Sequence, residues 1–229
     1  MKTRPSALAG SWYAADAREL ARSVDEHLAQ GEPLEEIARS RPLALIAPHA
    51  GHRWSGDGAG RAFRLLAGEA GRGIERVLLI GPSHYQSFRG AVVTEAGAYA
   101  TPLGDVPVDT GLARALLGEP HFHALPSAER REHCLEIQLP FLQRVLRHPF
   151  RIVPILVSQA TQEDWREIAI ALARHLDEQT LVVVSSDFTH YGPRFGYTPF
   201  DTDEDANLRR LDRGALEPIL DLDAGGFAA

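Results

Sequence analysis

The sequence predicts an α/β fold, with a mostly parallel central sheet and helices on both faces. Two observations support this prediction. Short runs of Val, Ile and Leu flanked by turn residues are typical of strands buried on both faces, and stretches with helical spacing lie between these runs. A chain of 229 residues can bury one well-filled core, so we expect a single domain over residues 1–229.

The elements alternate along the chain. Strands are expected at Leu43–Ala47, Val77–Ile80, Ile152–Val157 and Leu181–Ser185, and Gly90–Thr94 could add a further strand. Helices are expected at Ala17–Gln30, Ser55–Ala67, Thr110–Leu117, Glu132–Leu146, Gln162–His175 and Asp203–Leu211. Because proline removes an intrahelical donor, Pro140 should kink or divide the fourth helix near Glu136. Segments 96–109, 118–131 and 191–202 are expected to be irregular.

Composition excludes several classes of protein. With 24 Lys plus Arg against 31 Asp plus Glu, the net charge of -7 argues against unassisted nucleic-acid binding. The apolar runs are too short to cross a membrane, and we expect no secretory signal. Cys134 is the only cysteine, which excludes a zinc site built mainly of thiolates and fits a reducing compartment. We therefore expect a cytoplasmic protein.

Three histidines occupy the same position relative to predicted strands. His49, His84 and His190 each follow a strand's carboxyl end within a few residues. Ligands bind at this edge of open α/β sheets, so the three imidazoles should converge. Two imidazoles with an oxygen or sulfur donor commonly hold a divalent transition metal. Asp187 could supply that oxygen, or it could orient an imidazole without binding the metal.

Other groups of residues that could carry chemistry give weaker functional signals. The sequence has no nucleophile elbow, Walker A loop, dinucleotide fingerprint or H-E-x-x-H motif. Gly56–Gly60 resembles a phosphate-binding turn only loosely, and close packing is the favoured interpretation. Cys134 is expected to be a buried structural thiol rather than a nucleophile. His133 and Glu136 could support the metal ligands without binding the metal themselves.

Five sequence blocks, in this order, resemble the MEMO family. They are Ala9–Tyr13, Ile46–Gly51, Gly81–His84, Glu132–Glu136 followed by Leu139 and Pro140, and Ser185–His190. The prokaryotic members are called AmmeMemoRadiSam system protein B. The resemblance implies a fold like that of class III extradiol dioxygenases, which open catechols with non-haem iron(II).

The resemblance also implies roles for individual residues. His49 and His84 would be metal ligands for iron(II) or copper, and His190 would be the acid–base histidine with Asp187 beside it. The implied third ligand is a cysteine in a C-terminal Cys-Gly-Arg segment, which this sequence does not contain. We therefore expect an incomplete site whose metal is weakly held or absent. His52 stands where an aromatic residue is usual. A simple exchange of one aromatic ring for another is the favoured interpretation, and an extra imidazole near the site is the alternative.

Two functions are consistent with these residues. The first is a metal-dependent oxidoreductase or dioxygenase that uses dioxygen on an unidentified small substrate. The second is a non-catalytic module that retains the dioxygenase-like fold and binds a peptide or a protein. The expected ligand is a small molecule or a peptide. The prokaryotic family name implies a functional link to a radical SAM protein and an AMMECR1-like protein.

Overall fold

The computed structural model describes residues 2–30 and 41–227, and these fall into two compact units. One unit ends at Ser186 and the other begins at Asp187. The strands are β1 (Thr3–Arg4), β2 (Ala44–Ala47), β3 (Arg76–Pro82), β4 (Ala91–Val93), β5 (Ala98–Tyr99), β6 (Val106–Pro107), β7 (Phe122–His123), β8 (Arg151–Val157) and β9 (Thr180–Ser185). All of them belong to the first unit.

The predicted α/β class is confirmed. The main sheet has the order β2-β9-β3-β8-β4-β7, with helices on both sides. Strands β2, β9, β3 and β8 are mutually parallel, whereas β4 runs antiparallel to β8 and β7 runs parallel to β4. Val77, Leu78 and Leu79 are buried in the central strand β3, as expected for a strand covered on both faces. The carboxyl ends of β2, β9 and β3 therefore meet at one edge.

The helices are α1 (Ala17–Ala29), α2 (His52–Arg64), α3 (Thr110–Leu116), α4 (Pro126–Glu129), α5 (Leu139–Val145), α6 (Gln162–Ala173), α7 (Glu204–Leu220) and α8 (Ala224–Phe227). Helix α2 begins three residues earlier than predicted, and α7 extends nine residues further. Asp16 caps α1, because its carboxylate accepts from the backbone N–H groups of Arg18 and Glu19. Within the described residues, no helix has both the length and the apolar character that a membrane span requires.

The predicted helix Glu132–Leu146 divides near Glu136, which was one of the two predicted alternatives, but its first four residues are not helical. Residues 132–135 form an irregular turn, Glu136–Gln138 form one 3₁₀ turn, and α5 begins at Leu139. Pro140 lies in the first turn of α5, where its missing N–H costs no hydrogen bond. The proline thus starts a new helix instead of bending a long one.

Two of the segments predicted to be irregular contain short elements. Segment 96–109 carries β5 and β6, which form a second, three-stranded sheet with β1. Segment 118–131 carries β7 and α4. Strands of two residues are too short to show a period, which explains why the sequence pattern missed them. Segment 191–202 contains one 3₁₀ turn, Pro193–Phe195, and an isolated bridge between Gly192 and Tyr197.

Two glycines allow close approach of α2 to α1. A Cβ atom at Gly60 would lie 2.2 Å from the backbone oxygen of His27, and one at Gly56 would lie 2.4 Å from the Nε2 atom of the same residue. Either contact is shorter than atoms tolerate. Gly56 and Gly60 therefore serve close packing, as expected, but they pack against α1, whereas the sequence suggested packing against the strand end.

Candidate metal centre

Three histidines form a cluster in the first unit. His49 follows β2, His84 follows β3, and His133 lies in the turn before the 3₁₀ segment. A ligand atom from each lies within 4.8 Å of the others. The ring centroids are 5.0 Å apart for His49 and His84, 5.5 Å for His49 and His133, and 4.2 Å for His84 and His133. The structure thus brings the two predicted ligands together and adds His133.

The protonated nitrogen of His49 can be assigned from its partner. The Ser185 hydroxyl, at the end of β9, donates its only hydrogen to the backbone oxygen of Cys134 at 2.6 Å. Its oxygen can then only accept, and it lies 3.1 Å from His49 Nδ1 and 2.9 Å from Gln138 Nε2. His49 must therefore carry hydrogen on Nδ1. In the neutral imidazole, the lone pair is then on Nε2.

Glu132 is the second buried polar partner of the cluster, and sequence reasoning missed it. Its Oε1 atom accepts from His84 Nδ1 at 2.9 Å and from the backbone N–H groups of His133 and Cys134, at 2.9 Å and 3.3 Å. Its Oε2 atom accepts from the backbone N–H of His84 at 2.7 Å. Burial by itself would raise the pKa of Glu132, but these hydrogen bonds lower it to about 2. The side chain is therefore an ionised carboxylate.

A second set of possible donors shares His84. It combines His84 with Glu132 and Cys134, whose ligand atoms lie within 4.8 Å of one another. The Glu132 oxygens already accept the hydrogen bonds described above. Burial and the nearby Glu132 charge hold the pKa of the Cys134 thiol well above its usual value, and the thiol donates to Pro82 O at 3.1 Å. The three-histidine set is therefore the better metal site.

His52 lies among core side chains. It is the first residue of α2, and its ring centroid is 4.9 Å from that of Phe141 and 5.4 Å from that of Tyr13. Its Nε2 atom donates to the backbone oxygen of Ile137 at 3.2 Å, since a carbonyl can only accept. Burial lowers the pKa of His52 to about 4. The imidazole is therefore neutral in the folded protein at pH 7.

Glu136 binds the N-terminal segment. Its fully buried carboxylate accepts from the Arg4 guanidinium at 2.5 Å and from the hydroxyls of Ser6 and Tyr13, both at 2.7 Å. The backbone N–H groups of Ala7 and Leu8 also donate to it. Burial alone would raise the pKa of Glu136, but the hydrogen bonds from Ala7 and Arg4 lower it. We call Arg4, Ser6, Tyr13 and Glu136 the N-terminal clamp.

The other two predicted site residues belong to the second unit. His190 Nε2 lies 3.2 Å from Asp187 Oδ2. The intervening residue Thr189 is held to α7, because its hydroxyl donates to Asp212 at 2.7 Å. The side chain of His190 is 54% exposed. The acid–base role of this pair stays a prediction.

Comparison with known proteins identifies relatives along the chain. Residues 4–229 match the model of the family described as Memo-like protein. A Protein memo-1 homolog from Caenorhabditis elegans is 35% identical over 99% of this chain and 62% of its own length. A MEMO1 family protein from Methanopyrus kandleri is 34% identical over 98% of this chain and 78% of its own length. A MEMO1 family protein from Aquifex aeolicus is 36% identical over 84% of this chain and 69% of its own length.

This chain spans less than two thirds of the length of the Caenorhabditis relative. The family match nevertheless spans positions 49, 84 and 133. The α/β sheet and the histidine cluster at its edge are consistent with this match. The chain belongs to the Memo-like protein family.

Proposed function

We propose that this chain holds iron(II) or copper at His49, His84 and His133 and uses it in redox chemistry with dioxygen on a small substrate. The observation that carries the proposal is the convergence of three imidazoles within 4.8 Å. Imidazole nitrogen suits both metals, and three protein donors leave coordination positions for other ligands. When bound, such a metal supplies the capacity to activate dioxygen, which amino-acid side chains lack.

The surrounding side chains fit a site that is fixed on one side and accessible on the other. His49 is only 4% exposed, whereas the side chain of His84 is 32% exposed. The ring of His133 lies 4.4 Å from that of Trp12 and 5.9 Å from that of Tyr85. These aromatic rings would give an organic substrate an apolar wall beside the imidazoles.

The proposal gives His190 and Asp187 an acid–base role. The Asp187 carboxylate, 3.2 Å from His190 Nε2, would orient the His190 ring. The acid–base role that the family resemblance implies for His190 would then use its other ring nitrogen, Nδ1. Replacing His190 with alanine should lower turnover and leave the metal content unchanged.

Metal analysis under anaerobic conditions tests the proposal. The sequence by itself predicts weakly held or absent metal, but with His133 as a third donor, protein prepared without oxygen should contain about one iron or copper ion per chain. It should also consume oxygen with at least one member of a catechol panel. His49→Ala, His84→Ala and His133→Ala should each lower the affinity for that metal by at least about tenfold. His175→Ala is a matched control, because His175 belongs to neither donor set.

The outcomes separate the two hypotheses. Absence of stoichiometric metal in protein supplied with iron(II) and copper would refute a metal-dependent function. Stoichiometric metal without oxygen consumption would favour the non-catalytic binding module. Equal metal affinity in wild type and His133→Ala would remove His133 from the ligand set and leave His49 and His84.

A further inference from the structure

Glu132 lies between two of the three clustered imidazoles. Its Oε1 atom is 2.9 Å from His84 Nδ1 and 3.2 Å from His133 Nδ1. The side chain is 2% exposed. We propose that Glu132 is a positioning residue that fixes the Nδ1-protonated tautomer of His84, orients the His84 ring, and holds the backbone of His133 beside it for one shared metal ion. This inference rests on the metal site proposed above.

The backbone holds the carboxylate in place from two directions. The N–H of His84 comes from the segment after β3, and the N–H groups of His133 and Cys134 come from the turn at 132–135. Glu132 therefore joins two chain segments that are 48 residues apart. Since each segment carries one of the imidazoles, the same side chain sets their separation.

The tautomer is determined by the kinds of hydrogen-bonding groups present. Both Glu132 oxygens accept backbone N–H groups, so this backbone arrangement favours a carboxylate without a proton. A carboxylate can only accept, and the nitrogen that faces it must carry hydrogen. His84 Nδ1 is then a donor, and the lone pair for a metal is on Nε2. Carboxylates that bind metal-ligating histidines in this way also make the imidazole a stronger ligand.

Glu129 offers a matched comparison in the same part of the chain. It is also a buried glutamate, 8% exposed, but its carboxylate accepts from the Thr94 hydroxyl at 2.5 Å and the Tyr99 hydroxyl at 3.1 Å. None of its side-chain contacts described for this structure reaches the three histidines. Glu129→Gln therefore makes the same substitution at a similar depth without touching the cluster.

The first experiment requires no variant of Glu132 and no metal. NMR of the metal-free wild-type protein with 15N-labelled histidine identifies which nitrogen of each imidazole carries hydrogen, and the spectrum of His84→Ala assigns the His84 signals. We expect His84 to carry hydrogen on Nδ1. A His84 that is protonated only on Nε2 would overturn the inference whether or not the protein binds metal.

The second experiment compares Glu132→Gln with Glu129→Gln. Anaerobic titration with iron(II), and a separate titration with copper(II), should show about a 10- to 100-fold loss of affinity in Glu132→Gln. The loss in Glu129→Gln should stay within about twofold, and only Glu132→Gln should change the His84 tautomer signals. Equal losses in the two variants would overturn the inference, and so would an unchanged affinity in Glu132→Gln.

The two experiments also separate this inference from the function on which it rests. If wild type binds neither metal, the proposed function fails, but the tautomer of His84 still decides whether Glu132 orients it. If Glu132→Gln does not fold, the wild-type spectrum carries the test alone. If wild type binds metal and His84 has the other tautomer, only the role of Glu132 fails.

Discussion

Glu132 and Glu136 are four residues apart, and both are buried carboxylates whose pKa is lowered by hydrogen bonds. Their partners differ. Glu132 accepts from the His84 ring, whereas Glu136 accepts from Arg4 and Tyr13 in the N-terminal clamp. The two glutamates have the same charge and similar burial, but Glu132 contacts the candidate site, whereas Glu136 stabilises the fold.

The function of a buried charge is thus defined by the groups that donate to it. A lowered pKa marks both glutamates equally, so the pKa by itself cannot identify a functional residue. The comparison predicts different effects for substitutions in the two regions. Changes in the clamp should alter the free energy of unfolding, and changes around the cluster should alter metal affinity.

The largest effect is expected for Glu136→Gln. This change leaves the Arg4 guanidinium buried without its carboxylate, which should lower the free energy of unfolding by about 3–5 kcal/mol. The exposed pair of Glu69 and Arg72 provides the control, and Glu69→Gln should cost less than about 1 kcal/mol. Urea unfolding monitored by circular dichroism measures both. A loss of metal affinity in folded Glu136→Gln as large as that in Glu132→Gln would break the comparison.

His52 should make stability depend on pH. Its pKa is about 4 in the folded protein, against 6.5 for an ordinary histidine, so between these values the unfolded chain binds a proton that the folded protein excludes. Stability should therefore fall as pH is lowered from 7 to 4, by about 3 kcal/mol from this residue. Denaturant unfolding across this range should show a shallower dependence in His52→Phe. Parallel curves for the two proteins would contradict the expectation.

Ser185→Ala tests the cluster from the side of His49. The change removes the oxygen that accepts from His49 Nδ1 and from Gln138. Because the lost partner is a neutral hydroxyl, we expect about a tenfold loss of metal affinity, at the lower end of the range for such partners. Ser127→Ala, which alters an exposed hydroxyl bound to Gln86, is the control. A larger loss of metal affinity than in Glu132→Gln would mean that Ser185 contributes more to the metal site than Glu132 does.

Cys134→Ser should have the smallest effect. The serine hydroxyl can donate to Pro82 O as the thiol does, so the free energy of unfolding should change by about 1 kcal/mol or less. Metal affinity should not change if the three-histidine set is the site. A marked loss of copper affinity in titrations of Cys134→Ser would instead favour the set that includes His84, Glu132 and Cys134.

The sequence predicted the parallel strands and the convergence of His49 with His84, because both depend on long apolar runs and on the residues directly after each run. It did not predict Glu132 as a partner of His84. In a helix that begins at Glu132, as the sequence led us to expect, Glu132 and Glu136 would share one face, since residues four apart are neighbours there. In the structure, the turn at 132–135 places the two carboxylates beside different partners. This turn could not be predicted without knowing the contacts of Glu132.

Ser185 and the small second sheet were also missed, for different reasons. The role of Ser185 depends on Cys134, whose carbonyl takes its hydrogen, and the two residues are 51 positions apart. The second sheet pairs β1 with β5 over an even longer separation, through strands of two residues. Local periodicity carries no information about such pairings. The acid–base role of His190 and Asp187 stays a prediction.

The absence of a side chain at Gly60 affects the position of residues beyond its own contact with α1. Helix α2 begins three residues after His49, and the bare Cα of Gly60 lets that helix lie against the backbone of α1 at His27. A single methyl group there would need to displace α2, and a rigid helix transmits a displacement along its length. Metal–ligand bonds tolerate errors of only about 0.2 Å. The position of His49, a candidate ligand, is thus partly determined two helical turns away, by the absence of a side chain at Gly60.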